Sequence, residues 1–426
     1  MAIKNISNQE IKGSKDWFPE EFSIRNYIFS KWREVCLSYG FLEYLSPLLE
    51  NADIYRAKSG EDIAGKELMV FVDQGGRELA IRPEMTPSVV RMVSKIYPTS
   101  PKPLKLFSIA NFVRNEKPQR GRNREFWQLN CDIFGSDSPL SDLEILQMSI
   151  DLVLAFNPPK DSFILKINHR DLIESLFDII DIKKTQRIPL VRLLDKKNKL
   201  KANDFTSSLE DLGLKNNQID KIIKFISAQD LDDLNDKLPE VASSPAGLFM
   251  KNIINKLAET SYDKYVIFSP DVIRGFDYYD GLVFEIFDKH PDNNRAMFGG
   301  GRYNGLASVF GVNDFPAIGF APGDETFKLF LEAWGLLPKI ELKKDTYLLP
   351  LLDSNLESEA ISLAKKLRVK GEKVELGLEI IKISRALEYA SKNGIARVII
   401  LGEEELKKGE YKVKDMVSGE EKSCKL

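Results

Sequence analysis

Residues 104–135 read LKLFSIANFVRNEKPQRGRNREFWQLNCDIFG, and the fold turns on how this stretch is read. It predicts two antiparallel strands joined by a basic loop. Phe107, Ile109 and Val113 share one parity, while Ala110, Phe112, Arg114 and Glu116 share the other, which is the period of two that a strand imposes. On the return, Trp127, Leu129, Cys131 and Ile133 form an apolar face, opposite Arg124, Phe126, Gln128 and Asp132. The loop from Lys117 to Gly121 gathers Lys117, Arg120 and Arg122 into a cationic tip suited to nucleotide phosphates. A half-buried sheet accounts by itself for one polar side. The chemistry of this side points further: Arg114, Glu116, Gln128 and Asp132 combine a guanidinium fork, two carboxylates and an amide, a set that suits a small zwitterion and a phosphate.

The rest of the chain bounds the possibilities. Its 426 residues allow two or three domains, at roughly 100–200 residues each. A content of 43% hydrophobic and 29% charged residues is that of an ordinary globular protein. The net charge of -3 excludes a global positive field, so a nucleic-acid partner has to be met by local basic patches. Cys36, Cys131 and Cys424 lie far apart, without disulfide or metal-ligand spacing, which fits a reducing compartment and argues against a zinc site. His169 and His290 stand outside any cluster and read as surface or capping residues. The amino terminus lacks the apolar core of a signal peptide, and no run approaches the ~18 apolar residues of a membrane span. A cytoplasmic location is expected.

Taken in order, a helix is expected from near Glu20 to Gly40, with Ile24, Tyr27, Ile28, Trp32 and Val35 at helical spacing. FLEYLSPLLENADIYR reads as an extended stretch in which Pro47 marks an edge or interface strand. MVFV and ELAIR form a hairpin across Asp73–Gly76. RPEMTPSVVRMVSKIY opens a helix that Thr86 or Ser88 could cap, while Glu84 and Thr86 could equally serve a ligand. Ser141 and Asp142 start an amphipathic helix, and FILKINHRDLIESLFDII runs from strand into helix. From about residue 183 to 262 a helical module is inserted. KYVIFSP, GLVFEIF and PAIGF read as strands. FGGGRYNGL, residues 298–306, has three glycines that let the backbone pass close to a ligand or to another strand. From Thr346 the pattern is βαβαβ with a helix from Ile380, closed by a terminal hairpin, which argues a small α/β domain. Lys382, Arg385 and Lys392 form a modest basic stripe there.

The segments RPEMT, FVRNEKPQRGRNREFWQLNCD, RGFDYYDG, FGGGRY and PAIGFAPGDE, in this order, resemble the histidyl-tRNA synthetases, a family of class II aminoacyl-tRNA synthetases. GSKDWFP and the tail RVIILGEEELKKGEYKVKDMVSGEE extend the resemblance over nearly the whole chain, and RGFDYYDGLVFE is its most specific element. The resemblance implies an α+β fold with an antiparallel-sheet catalytic domain over residues 1–335, interrupted by the helical insertion. A linker at 336–345 and an α/β anticodon-binding domain over 346–426 would follow. It also implies a homodimer joined through the segment around Pro47, and a two-step reaction in which histidine and ATP give histidyl-adenylate before transfer to histidine tRNA.

Roles follow from the same matches. Arg114 and Arg274 correspond to the catalytic arginines. Arg114, Glu116, Arg120, Arg122 and Phe126 fall in the ATP-binding group. Glu84, Thr86 and Gln128 match positions that take the substrate amino group, and Asp132 and Tyr279 match those that read the imidazole. Arg274, Tyr278, Gly300 and Tyr303 complete the histidine-binding set. ATP is the expected co-substrate, accompanied by Mg²⁺, with no resident metal. One departure stands out: where class II motif 3 ends in an arginine for the γ-phosphate, this chain has Gly323, Asp324, Glu325 and Thr326. Arg120, Arg122 or Mg²⁺ would then supply that charge. The missing arginine favours one alternative, the non-catalytic regulatory subunit of ATP phosphoribosyltransferase, which the intact RGFDYY segment and the carboxy-terminal domain disfavour.

Overall fold

A computed structural model describes residues 7–57, 63–195, 197, 200–272, 278–293 and 295–426. The chain divides into two compact units: one holds the residues up to Asp16 and Arg25–Leu337, the other Trp17–Ile24 and Pro338–Leu426.

Helix α1, Pro19–Ser38, buries Ile28, Phe29, Trp32 and Cys36, a stripe at steps of one, three and four residues that faces the core. The segment after it is less extended than its sequence suggests. Only Leu42–Glu43 (β1) and Leu49–Asn51 (β2) are strand, separated around Pro47, and Asp53–Arg56 form the short helix α2. Proline breaks the ladder, and Asn51 turns the chain by accepting the Asp53 N–H at 2.9 Å. Strands β3 (Met69–Val72) and β4 (Glu78–Ile81) form the expected hairpin and pair with β2. Helix α3, Thr86–Ile96, has Met85 at its N-cap without a side-chain bond, so neither Thr86 nor Ser88 caps it; the Ser88 hydroxyl instead lies 2.9 Å from that of Tyr55.

The decisive stretch forms β5, Leu104–Val113, and β6, Glu125–Phe134, in unbroken antiparallel register from Leu104 opposite Phe134 to Val113 opposite Glu125. Helix α4, Pro139–Leu154, begins two residues before Ser141 because Ser138 caps it. Its buried residues lie on all sides, so it is a core helix, not an amphipathic surface one. Strand β7 (Phe163–His169) runs into α5 (Arg170–Ile179), whose N-terminus His169 caps by accepting the Asp171 N–H. The insertion consists of α6 (Lys184–Asp195), α7 (Ala202–Asp211), α8 (Asn216–Ile226), α9 (Leu231–Lys237), α10 (Pro239–Ala242) and α11 (Pro245–Glu259). Its last helix packs back on α4 and β7, so the module is built into the first unit.

Strands β8 (Val266–Phe268), β9 (Leu282–Asp288), β10 (Ala296–Arg302) and β11 (Ala317–Phe320) complete an eight-stranded sheet ordered β1-β5-β6-β11-β10-β9-β7-β8. All its pairings are antiparallel except those at the two edges, β1 with β5 and β7 with β8. The glycine run lies inside β10, which decides between its two readings. A Cβ at Gly300 would stand 2.2 Å from the Gly319 carbonyl, so these glycines admit a neighbouring strand. Helix α12, Asp324–Ala333, packs on β6 and β10. The sheet's back face carries α1 and α12, with Trp32 edge-on to Phe327 at 5.3 Å and Phe29 beside Trp127 at 5.5 Å. On this side the Cys36 and Cys131 sulfurs come within 3.4 Å of each other as free thiols, a meeting that sequence distance conceals.

In the second unit, β12 (Thr346–Leu351) runs parallel to β13 (Lys373–Ile380) and β14 (Arg397–Ile400). Helix α13 (Glu357–Val369) and α14 (Ile383–Lys392) build separate cores with this sheet. The second helix starts three residues later than expected, because β13 extends to Ile380. After α15 (Glu403–Lys407), the hairpin of β15 (Glu410–Asp415) and β16 (Glu421–Lys425) extends the sheet antiparallel from β14. Across the whole chain, no helix among the described residues is long and apolar enough to cross a membrane.

Candidate active site

The front face of the β5–β6 hairpin carries Ala110, Phe112 and Phe126, and α3 covers it with Met85, Val89, Val90 and Val93. Arg114, just past the end of β5, is fixed in two ways. Its Nε donates to the Pro83 carbonyl at 3.0 Å, and its guanidinium lies 5.1 Å from the centre of the Phe126 ring. That leaves the two terminal nitrogens as the end of the fork that can meet an anion. Next to it, Glu116 and Arg122 are paired with each other, Arg122 Nη1 to Glu116 Oε2 at 3.2 Å. The bond uses one nitrogen and one oxygen, which leaves Arg122 Nη2 and Glu116 Oε1 for other partners.

Arg120, at the tip of the loop, lies elsewhere. It lines a cavity of about 300 Å³ with Arg295, Asp288, Asp292 and Thr326. Arg295 donates to the Gln119 side chain at 3.2 Å and thus tethers the loop. Sequence reading did not single Arg295 out.

Further along β6, Gln128 donates to the Ala321 carbonyl at 3.2 Å. Glu84 is buried and accepts from the Tyr278 hydroxyl at 3.2 Å. Thr86 is also buried, at the start of α3. Tyr278, Tyr279 and Tyr303 form an aromatic cluster, with ring centres 4.9 Å apart for Tyr278 and Tyr279 and 5.8 Å for Tyr278 and Tyr303. Asp132 lies at the end of this face with 3% of its surface exposed. The Tyr303 hydroxyl donates to its Oδ1 at 2.5 Å, while Oδ2 has no hydrogen-bond partner among the described residues. Burial pushes its pKa up to about 7, against the pull of the Tyr303 bond. Gly319, opposite Asp132 in β11, makes room for the carboxylate, since a Cβ there would stand 2.1 Å from Oδ1.

Of the remaining expected residues, one is not among those described and one faces away from Asp132. Arg274 lies outside the described residues. A side chain at Gly300 would point to Phe284 and Phe320 on the opposite face; Gly301 and Gly319 are the glycines that back onto Tyr279 and Asp132. Arg302, within the FGGGRY segment, is a structural clamp that grips Asp142 with two bonds of 3.0 and 2.6 Å. Asp324, where motif 3 departs from its usual form, is buried behind the site. It accepts from the Trp127 N–H at 3.0 Å and pairs with Arg25 at 2.8 Å.

The profile of the histidyl-tRNA synthetase family matches residues 13–324, and that of an anticodon-binding domain matches 345–426. A histidine-tRNA ligase of Leptospira biflexa is 39% identical over 420 residues, covering 98% of this chain and 95% of that protein. One from Pyrococcus furiosus is 36% identical over 425 residues, covering 98% and 96%. The chain belongs to the histidyl-tRNA synthetase family. The crystal structure of a histidyl-tRNA synthetase from Nostoc sp. PCC 7120 shares its fold, with a TM-score of 0.82 at 21% identity, covering 99% of this chain and 97% of that one. The family profile thus spans the whole hairpin, the aromatic cluster and β11, and stops at Asp324, the first residue of α12.

Proposed function

We propose that this chain activates L-histidine with ATP and transfers the histidyl group to the 3′ end of histidine tRNA. The observation that carries this reading is Asp132: a buried carboxylate, one oxygen held by Tyr303 and the other without a protein partner, on the face that begins with Arg114. Such an acceptor suits an imidazole N–H. A site that hydrogen-bonds a substrate group rejects analogues lacking it by about 10⁴ to 10⁵.

In the first step the histidine carboxylate attacks the α-phosphate and pyrophosphate leaves. Two anions must approach, so cations placed beforehand at the phosphoryl oxygens lower the barrier. Arg114 is held for this by Pro83 and Phe126, and Arg274 is assigned the same task by its family match. Glu84, braced by Tyr278, takes the amino group with Thr86 and Gln128. Tyr279 joins Asp132 at the ring, against Tyr303 and the close backbone of the glycine run. Glu116 and Arg122 take the adenine and phosphate contacts, while Phe126 stacks. Arg120 is assigned to the triphosphate by its family match; the cavity that it lines with Thr326 holds none of the other assigned residues. In the second step a hydroxyl of the terminal ribose of the tRNA attacks the carbonyl, and AMP leaves.

Mg²⁺ accompanying ATP would neutralise phosphate charge. Such an ion needs one or two carboxylates besides phosphate and water. Glu285, which shares the parity of Val283 on the front of β9, is a carboxylate that would help hold it. The homodimer is supported by Leu42, Leu45, Leu48 and Leu49, which stand exposed along the segment around Pro47. A cytoplasmic location follows from the role in translation. A regulatory subunit is not favoured, because the close full-length relatives are ligases by name. The test is acid-insoluble histidine formed on tRNA: charging of histidine tRNA supports the reading, and a folded sample that charges none overturns it.

A further inference from the structure

The sheet face that carries Asp132 holds more polar groups than the matched residues account for. Ser108 lies opposite Asn130 in the β5–β6 ladder. Glu43 lies opposite Phe107 in the parallel pairing of β1 with β5, and the Tyr44 N–H donates to the Phe107 carbonyl at 2.8 Å. Tyr44 is therefore level with Ser108, so Tyr44, Ser108 and Asn130 form one row across three adjacent chain segments. Asp132 follows Asn130 on the same face, two residues on.

Every member of this group has a buried polar atom without a hydrogen-bond partner among the described residues: Tyr44 Oη, Ser108 Oγ, Asn130 Oδ1 and Asp132 Oδ2. Ser108, Asn130 and Asp132 are 0%, 4% and 3% exposed, so bulk solvent does not reach them. Buried polar groups are nearly always paired, and each one left without a partner costs about 1–3 kcal/mol. A row of them beside a ligand carboxylate is a built feature, for which packing alone gives no reason. The Tyr44 ring packs against the same apolar cluster as Tyr278, Tyr279 and Tyr303, and its hydroxyl feels the Asp132 charge.

We propose that Tyr44 is a positioning residue for histidine recognition: with Ser108 and Asn130, its hydroxyl completes a polar floor that holds Asp132 as the carboxylate accepting from the imidazole. The inference rests on the reading of this face as the histidine pocket. Tyr44 Oη and Asp132 Oδ2 are not bonded to each other, so the phenol reaches the carboxylate through one polar atom that both can meet and to which Oη donates; Phe at this place cannot. The other titratable groups around Asp132 are Tyr303 after β10 and Cys131 on its own strand. Arg82 after β4 acts on Tyr44, while Tyr278, bonded to Glu84, acts on Tyr303. None of them changes in the variant.

Tyr44→Phe keeps the ring and its packing. In histidine-dependent pyrophosphate exchange, the expected result is a rise in KM for histidine of about tenfold, the size of one lost hydrogen bond. KM for ATP stays within about twofold, the size expected of a site not touched. The acid limb of kcat/KM for histidine moves to higher pH than in the wild type, because the polar atom that Asp132 shares with Tyr44 has lost its second partner. An unchanged KM for histidine with an unchanged acid limb would overturn the proposal and leave Tyr44 a packing residue. So would a parallel loss for both substrates with a lower Tm. Absence of exchange in the wild type would instead overturn the reading of the pocket, and this proposal with it.

Discussion

On the proposed reading, Asp132 is under two opposed demands, acceptor chemistry and burial. Its pKa in the folded chain is raised to about 7, against about 3.9 for an ordinary aspartate. The folded state binds the extra proton between those values. The stability this group contributes is therefore full below about pH 4 and lost as pH rises through about 7. Asp132→Asn removes the titration, so thermal melts should show the variant gaining stability over the wild type as pH rises from about 4 to 8. The functional sign is the opposite. Protonation removes the acceptor, so KM for histidine should rise as pH falls below about 7 in exchange kinetics. Asp132→Ala should lose histidine binding while ATP binding survives, as calorimetry with each substrate would report; equal loss of both would mean the pocket is misplaced. Arg114→Ala should lower kcat by about 10²-fold, the size of one lost preorganised donor.

At the scale of elements, the site depends on a clasp behind it. Asp324 at the start of α12 joins α1 through Arg25 and β6 through the Trp127 N–H, while the Arg25 guanidinium lies 5.7 Å from the Trp127 ring centre. Both side chains of the ion pair are about 5% exposed or less. Removing one partner leaves the other charge buried, so Asp324→Ala should cost about 3–5 kcal/mol in urea denaturation. The Asp at this motif 3 position thus has a structural task that is independent of the arginine missing from Thr326. The hairpin itself was legible in the sequence because its alternation has one period over both strands, and the same parity would have placed Ser108 and Asn130 on the site face. Other features were not legible, for physical reasons. Tyr44 follows a strand of only two residues, too short to show a period. The clasp and the Cys36–Cys131 contact join chain segments far apart, and nothing in local spacing reports such meetings. Thr86 looked like a cap because hydroxyls favour helix starts, whereas its helix begins from Met85 with Pro87 in the first turn.

For the molecule as a whole, the two units have separate cores and, on this account, separate tasks. Removing Pro338–Leu426 should abolish tRNA charging and spare histidine-dependent exchange, since the residues assigned to adenylate chemistry all lie in the first unit. Loss of both activities from a truncated chain that still melts cooperatively would contradict that division. The order of elements and the two-part architecture were readable in the sequence because helical, strand and βαβ periods alternate clearly; the grouping of Trp17–Ile24 with the second unit was not, since it depends on contacts distant along the chain. The front of the hairpin is proposed as a histidine and ATP site. The most direct test is exchange of labelled pyrophosphate into ATP by the intact chain, with each of the standard amino acids in turn. Exchange with histidine alone is the expected result; exchange with none, or equally with another amino acid, would contradict the account.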